Sequence, residues 1–462
     1  MTAAYGLRRT NGQWALLGSG FNAAVSVVKA DPKRGRVYFG GSFTTANGVT
    51  VNGICYWNGT TFVAMGGATK GVAGGSTGVR AIAIAPNGDV WVGGDFTSAG
   101  GSTADGLARW NNATDTWTVF TNGTPGDIIF ALAIDSQGNV YGGGAFINWD
   151  GNANEDRIWK YNGSVFSALG TGMNEYVSTL EIDSSDNLYA GGLFTTAGGT
   201  TVNYIAKWNG SAWSALSSGM SAEVFWIFYM RNGNLAVGGN FTTAGGVSAS
   251  RIAIWNGSTF YPLGSGVNGS VTRIVERDNG NILAAGGFST AGNLTTTDRL
   301  AEWNGSTWTN LDCDFPGSPT VYFDEMYGNL YIGFTTTGAA TVSGLTTVTN
   351  NGTERAYPVI TIVGPSSASA TLIWLENQST GQIWYTDLVI LSGEVITLDT
   401  FTGRVTSDWR GLIFDQPLEG SSAFWLQPGA NTIACLAINT ITAMTITLNW
   451  QPRHLSVEGV AG

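Results

Sequence analysis

The sequence predicts an all-β chain: a seven-bladed β-propeller over residues 1–340, an antiparallel β-sandwich over 341–455, and a C-terminal tail over 456–462. Three observations lead there. Glycine supplies 67 of 462 residues and charged residues only 11%, while the apolar share stays at 43%; this suits many short strands and tight turns rather than disorder. A four-stranded pattern recurs through the first three quarters of the chain. It stops near Ala340, and a different strand pattern follows.

The repeat reads most plainly at 177–216. Strand-length runs at 177–183, 188–194, 205–210 and 212–216 are separated by turn residues, which gives a meander of strands A to D. A phenylalanine ends strand B at Phe43, Phe96, Phe146, Phe194, Phe241, Phe288 and Phe334, spaced by roughly 46–53 residues as four-stranded blades require. An aromatic–Asn pair recurs at the C–D turn, and Gly follows it in five of six cases (Asn58, Asn162, Asn209, Asn256 and Asn304), predicting two-residue type I′ hairpins. Residues 5–17, with Asn11-Gly12 as a turn, read as a C–D hairpin without its A and B strands. Residues 321–325 and 330–334 read as an A–B pair without C and D, so the N-terminal hairpin is expected to complete the seventh blade and leave no open edge. The Gly-Gly strand B and the Trp of strand C resemble the kelch and galactose-oxidase-like propellers over about residues 5–340. That resemblance implies architecture and no particular activity.

After Ala340, strand-like runs are expected at 347–353, 357–365, 370–376, 383–389, 394–399, 423–426, 432–438 and 444–450, the pattern of a sandwich. This segment resembles the C-terminal domain of distal tail proteins from long-tailed bacteriophages. The residues that carry the resemblance are Asn350-Asn351-Gly352-Thr353, Tyr357-Pro358-Val359-Ile360 with Gly364, Gly393-Glu394, Leu398-Asp399, Ser407-Asp408-Trp409-Arg410-Gly411, Phe424 with Leu426-Gln427-Pro428-Gly429-Ala430-Asn431, and Asn449-Trp450-Gln451-Pro452-Arg453. It implies a galectin-like or carbohydrate-module-like sandwich at a tail tip. The ring-forming N-terminal domain of that family is replaced here by the propeller, so the resemblance implies an attachment module rather than a hexameric hub.

Charge narrows the partners. A formal net charge of −11 without a basic patch argues against nucleic acid and against anionic membranes. Cys55, Cys313 and Cys435 lack metal-ligand spacing and read as buried free thiols of a reducing compartment. Residues 1–11 contain no apolar signal core, and 433–448 is too short and polar to span a bilayer, so synthesis in a host cytoplasm without a signal peptide is expected.

Catalytic motifs are absent from the sequence. His454 is the one histidine and lies in the tail after the last strand, and no Gly-x-Ser-x-Gly, His-Glu-x-x-His or Gly-Lys-Ser/Thr motif occurs. Glu181, Asp95 and Asp150 offer carboxylates for glycoside hydrolysis, but their separation decides that chemistry. The repeated Trp57, Trp110, Trp208, Trp255 and Trp303, with Trp117, Trp213 and Trp308, read as packing between blades. The aromatic residues that break the repeat, with one neighbouring acid, are the candidate ligand contacts: Trp149 and Asp150 in a B–C loop, and Trp226 and Phe228 in the fifth strand A. Any partner site is expected on the face carrying the B–C and D–A loops.

These readings converge on a non-enzymatic bacteriophage virion protein, tail-associated, without cofactor or metal. Its expected partners are other virion proteins, copies of itself and a host surface glycan, with no nucleic acid and no membrane insertion. The alternatives are a purely structural decoration protein, a bacterial surface lectin and a glycan depolymerase.

Overall fold

The structure is a computed structural model. It describes residues 6–10, 13–17, 20–123, 126–152, 154–294, 297, 299–311, 321–326, 329–334, 346–350, 359–363, 370–377, 382–400, 404–414, 426, 429–438 and 445–449. The chain divides into two compact units, Met1–Thr336 and Thr337–Gly462. The first is a β-propeller, and the described residues of both units are almost entirely strand and turn.

In the first unit the described strands form seven four-stranded antiparallel sheets. The fourth shows the pattern: strand A is Val177–Ile182, B Leu188–Gly192, C Ile205–Trp208 and D Trp213–Ala215. The other A strands are Val25–Asp31, Val79–Ile84, Ile128–Ile134, Val224–Tyr229, Val271–Glu276 and Val321–Met326. Each packs against the A strand of the following sheet, and the seventh packs against the first. The seventh sheet joins both ends of the unit, because Val321–Met326 and Asn329–Phe334 are extended by Gly6–Thr10 and then Gln13–Leu16.

Five of the sheets approach the next one closely because strand B carries two adjacent glycines. A Cβ on Gly40, Gly93, Gly143, Gly191 or Gly238 would lie 2.5–2.6 Å from a Cγ of Val79, Ile129, Val177, Val224 or Val271, the β-branched residue that opens the next strand A. The second glycine meets backbone instead. A Cβ on Gly192 would run into the Tyr176 carbonyl oxygen, at the β-bulge where the register shifts between Val177 and Thr179. Six sheets share this bulge, while the register of the seventh runs from Val321 to Met326 without a shift.

Two expectations are corrected here. Phe43, Phe96, Phe146, Phe194, Phe241 and Phe288 are all almost fully buried, but Phe334 is not their seventh equivalent. Leu330 and Tyr331 occupy the register of Leu188 and Tyr189, so Phe334 falls at the place of Gly192, two residues early. The C–D turns of the first six sheets are also not two-residue turns, whereas in the seventh Thr10 pairs with Gln13. Trp208 pairs with Trp213, which leaves four residues between them, and only Gly210 has positive φ, at 95°. The Asn209 side chain holds the turn: its Oδ1 accepts from the Ser211 N–H, the Ser211 hydroxyl and the Ala212 N–H at 2.9–3.0 Å. Asn58, Asn111, Asn162, Asn256 and Asn304 do the same, which gives the recurring Asn-Gly-Ser/Thr an architectural reason.

The second unit contains two antiparallel sheets. One orders Thr346–Asn350, Gly429–Ile438, Ala370–Asn377 and Gln382–Ile390; the other orders Gly411–Phe414, Arg404–Ser407, Val395–Asp399, Val359–Val363 and Thr445–Asn449. The hairpin of Arg404–Ser407 and Gly411–Phe414 was not expected from sequence, because each strand is only four residues long. Of the expected strand at 423–426, only Leu426 is described, in an isolated bridge. Cys55 is a buried free thiol; Cys313, Asn351, His454 and the 456–462 tail lie outside the described residues.

The glycine geometry predicts an order of damage. Gly191→Ala should cost about 1–3 kcal/mol of stability, since the Val224 side chain can shift. Gly192→Ala should cost more, because the Tyr176 carbonyl cannot. Chemical denaturation of the two variants, followed by tryptophan fluorescence, checks the ranking.

Candidate functional site

The repeated tryptophans tie neighbouring sheets together. The Trp117, Trp213 and Trp308 indoles donate to the carbonyls of Met65, Leu169 and Leu263 in the loop from the preceding sheet, at 2.9–3.2 Å. Within their sheets, Trp208, Trp255 and Trp303 pack at a tilt against the cross-strand Trp213, Phe260 and Trp308, with centroids 4.6–5.5 Å apart. Their place in the structure is packing, which fits the sequence reading.

The B–C and D–A loops are more uniform than expected. In four sheets the B–C connection is a small hairpin, such as Thr196–Ala197 with Thr200–Thr201. The incoming D–A loop is stitched to it: Met173 bridges to Ala197, and Asn174 Oδ1 accepts from the Thr195 and Thr196 N–H groups at 2.9 Å. Asn22, Ser221 and Asn268 make the matching bonds in the first, fifth and sixth sheets. In the second sheet Asp95 braces the start of strand A instead, accepting from the N–H groups of Ser76, Thr77 and Gly78. Burial works to raise its pKa, but the Ser76 and Thr77 hydrogen bonds prevail and hold it below the usual carboxylate range.

Trp149 and Asp150 fall where the third sheet departs from this plan, in the single 3-10 turn Trp149–Gly151. Trp149 is 0% exposed and packs on Phe146, Trp159 and Phe166, with centroids 5.2–5.9 Å away. It is therefore a core side chain, and its expected role as a ligand contact is corrected: its ring fills the space that an alanine leaves in the other sheets. Asp150 is exposed, and its Oδ1 accepts from Asn122 Nδ2 at 2.7 Å while its N–H donates to the Asn122 carbonyl at 3.0 Å. It performs the same stitching by other means.

Trp226 and Phe228 lie elsewhere, on the wall of a cavity of about 490 Å³ along the A strands. The size is within the usual range of small-molecule sites. Strand register sorts its wall into levels. One level contains Val27, Ala81, Ala131, Thr179 and Trp226, and the next contains Lys29, Ala83, Ala133, Glu181, Phe228, Val275 and Asp324. Alanines from the second and third sheets thus leave room at levels where the fifth sheet places aromatic rings. Trp226 is fixed: Nε1 donates to the Ile274 carbonyl at 2.9 Å, and the Arg273 guanidinium lies 4.4 Å from its ring centre.

The structure brings Glu181 into this cavity with Trp226 and Phe228, but separates it from Asp95 and Asp150, which sit in the loops. Sequence reasoning did not single out Lys29 and Asp324, although both are charged residues inside A strands. Asp324 accepts from the Ala30 N–H at 2.9 Å and lies 4.0 Å from Lys29 Nζ. Glu181 is half-buried, and burial pushes its pKa up to about 7; Lys29 and the Ile182 N–H oppose the rise and Asp324 adds to it. At one end, the turns are laced by Ser136 to Asp186 and by Ser184 to Tyr229 at 2.9 Å. Among the described residues, no group of three or more His, Cys, Asp or Glu could hold a metal ion, and no helix is long and apolar enough to cross a membrane.

No protein-family model and no curated protein matches this chain. Among solved structures, the chain is similar to the WD40 β-propeller domain of Doa1 (TM-score 0.44, 13% identity, 73% of this chain and 98% of that one). It is similar also to the extracellular domain of the putative hybrid two component system BT4673 from B. thetaiotaomicron (TM-score 0.45, 10% identity, 92% of this chain and 55% of that one). A third is YCF48 bound to D1 peptide (TM-score 0.41, 13% identity, 68% of this chain and 93% of that one). The propeller description rests on the sheet order and closure given above.

Two outcomes follow from these placements. Trp149→Ala should lower stability by about 3–5 kcal/mol through the cavity it leaves, as denaturant titration would read. Glu181, with a folded pKa above its unfolded value, contributes stability that is present below about pH 4.5 and is lost as pH rises through about 7. Glu181→Gln should therefore raise the melting temperature of the first unit at pH 8 relative to the parent, with little gain at pH 4.5, in calorimetry at the two pH values.

Proposed function

We propose that this chain is a non-enzymatic structural and adhesion protein of a bacteriophage virion, associated with the tail. In this reading a seven-bladed β-propeller is the module that meets host glycan or neighbouring proteins, and a β-sandwich is the attachment module. Seven sheets, the last built from both ends of the unit, support the blade count. The buried Ile360, Ile362, Ile396, Leu398 and Val405 alternate along their strands, as the inner face of a sandwich would.

The observation that carries the proposal is a corner of the second unit where two separate stretches of the tail-protein resemblance meet. The Glu394 carboxylate, 0% exposed, accepts from Arg410 Nε at 2.6 Å, Arg410 Nη2 at 2.8 Å, the Leu391 N–H at 2.8 Å and the Ser407 hydroxyl. Burial alone would raise its pKa, but the Arg410 and Ser407 bonds hold it below the usual range. The brace sets the hairpin at 404–414 and leaves Trp409 56% exposed, with Val389, Leu391 and Leu412 exposed as well. An exposed Trp on a rigid turn suits an attachment surface.

A purely structural decoration role is the second reading, favoured by the burial of Trp149, which removes one aromatic contact from the loop face. Mass spectrometry of purified particles should find this chain at a fixed stoichiometry; particles that lack it would overturn the virion assignment. On a glycan array the propeller unit should bind, and an array without any binder would leave only the decoration role.

A further inference from the structure

We propose that the cavity along the A strands is a binding site for a compact organic cation, a primary ammonium on an apolar or aromatic body, with the ammonium against Glu181 and the body between Phe228 and the alanines of the second and third sheets. The inference does not depend on the virion reading.

The charges on the wall point to a cation. Four carboxylates, Glu181, Asp183, Asp186 and Asp324, face two cations, Lys29 and Arg80. Most of these are already engaged. Asp183 accepts from Asn187, Ser185 and Tyr189; Asp186 accepts from Ser136; Asp324 accepts from Ala30 and lies near Lys29. Arg80 Nε donates to Thr77 at 2.8 Å and its guanidinium sits over Phe130. Glu181 is different: the Ile182 N–H is the hydrogen bond it receives, and among the described residues it forms no ion pair within 4 Å. A carboxylate with spare acceptor capacity in a partly apolar cavity is most readily satisfied by a charged donor.

The walls decide the body of the ligand. Ala83 and Ala133 share the level of Glu181, so space is open beside the carboxylate, and Phe228 presents an aromatic ring at that level. A neutral sugar would need several free polar groups around its ring, and the cavity offers few. A cation with an apolar body needs one carboxylate and apolar surface, and both are present.

Glu181 also couples binding to protons. It is faced by Lys29, Arg80, Asp183, Asp186, Asp324 and the Tyr229 hydroxyl, and it titrates near neutrality. A bound ammonium favours the ionised carboxylate, so binding at pH 7 should expel about half a proton. Acidification should weaken binding.

The test is titration calorimetry of the full chain with phenethylamine at pH 7, in phosphate and in Tris, with 2-phenylethanol as the neutral isostere. The expected result is one saturable site for the amine, a heat that differs between the buffers by the expelled proton, and little or no binding of the alcohol. Glu181→Gln should weaken the amine on the order of tenfold and remove the buffer dependence. Lys29→Gln, which removes the competing cation, should tighten it. Circular dichroism checks that both variants fold. No saturable heat, equal binding of the alcohol, or an unchanged Glu181→Gln variant would overturn the proposal. Saturable binding of maltose in place of the amine would overturn it in favour of a neutral glycan.

Discussion

The first unit depends on one close approach: a strand-B glycine of one sheet against the β-branched residue that opens strand A of the next. At Gly191 and Val224 there is no room for a methyl group, and the same holds at Gly40, Gly93, Gly143 and Gly238. Dispersion and burial act over such short distances that each interface gains fully only when the backbone of one sheet touches the side chains of the next. Four of these five partners are buried valines and the fifth is the buried Ile129, each contributing roughly 1.5–3 kcal/mol by burial. An interface of this kind must be satisfied on both sides of every sheet. A row of sheets would expose two such faces, whereas closure through the N-terminal hairpin leaves none.

This constraint explains what could be read from the sequence. The repeat was legible because the packing contact imposes Gly-Gly and a buried Phe at a fixed interval, and the closing hairpin was legible because each end of the unit had half a sheet. The seventh mark was misplaced for a physical reason. Phe334 is the right residue type in nearly the right place, but register is set by strand pairing, and Leu330 opposite Arg9 fixes it two residues away. The Asn-Gly turns were misread because dipeptide preference describes the backbone alone, while here the Asn side chain serves as the turn's acceptor and lengthens it to four residues. In the second unit the Arg404–Ser407 and Gly411–Phe414 hairpin carried no hydrophobic alternation, since it is held by the Glu394–Arg410 brace, and an ion pair across 16 positions leaves no periodic trace.

The candidate site was legible by half. Departures from the repeat identified Trp149, Asp150, Trp226 and Phe228, but a departure can mean either of two things. Trp149 replaces a small residue at a position that faces into a sheet edge, so the neighbours absorbed it and the site stayed closed. Trp226 and Phe228 replace residues that face the cavity, so their rings line it while packing against the sixth sheet. Sequence gives the substitution, and only the level and the facing direction give its consequence.

That distinction also says where this ring can carry chemistry. At the opening of strand A, the sheets bear Val25, Val79, Ile129, Val177, Val224 and Val271, nearly one residue type, and the glycine behind the last five admits little else. Four residues further along, at the level reached by Lys29, the sheets bear Lys, Ala, Ala, Glu, Phe, Val and Asp, with no type imposed. The side chains there line the cavity. Packing therefore sets no penalty on charge or size at that level beyond desolvation, and desolvation is eased because the cavity remains partly open. A carboxylate such as Glu181 can persist there without an ion-pair partner within 4 Å among the described residues, at the cost of a pKa raised to about 7. The architecture that makes every interface alike thus confines chemical individuality to the inner strands, and the acid with spare hydrogen-bonding capacity sits at that level.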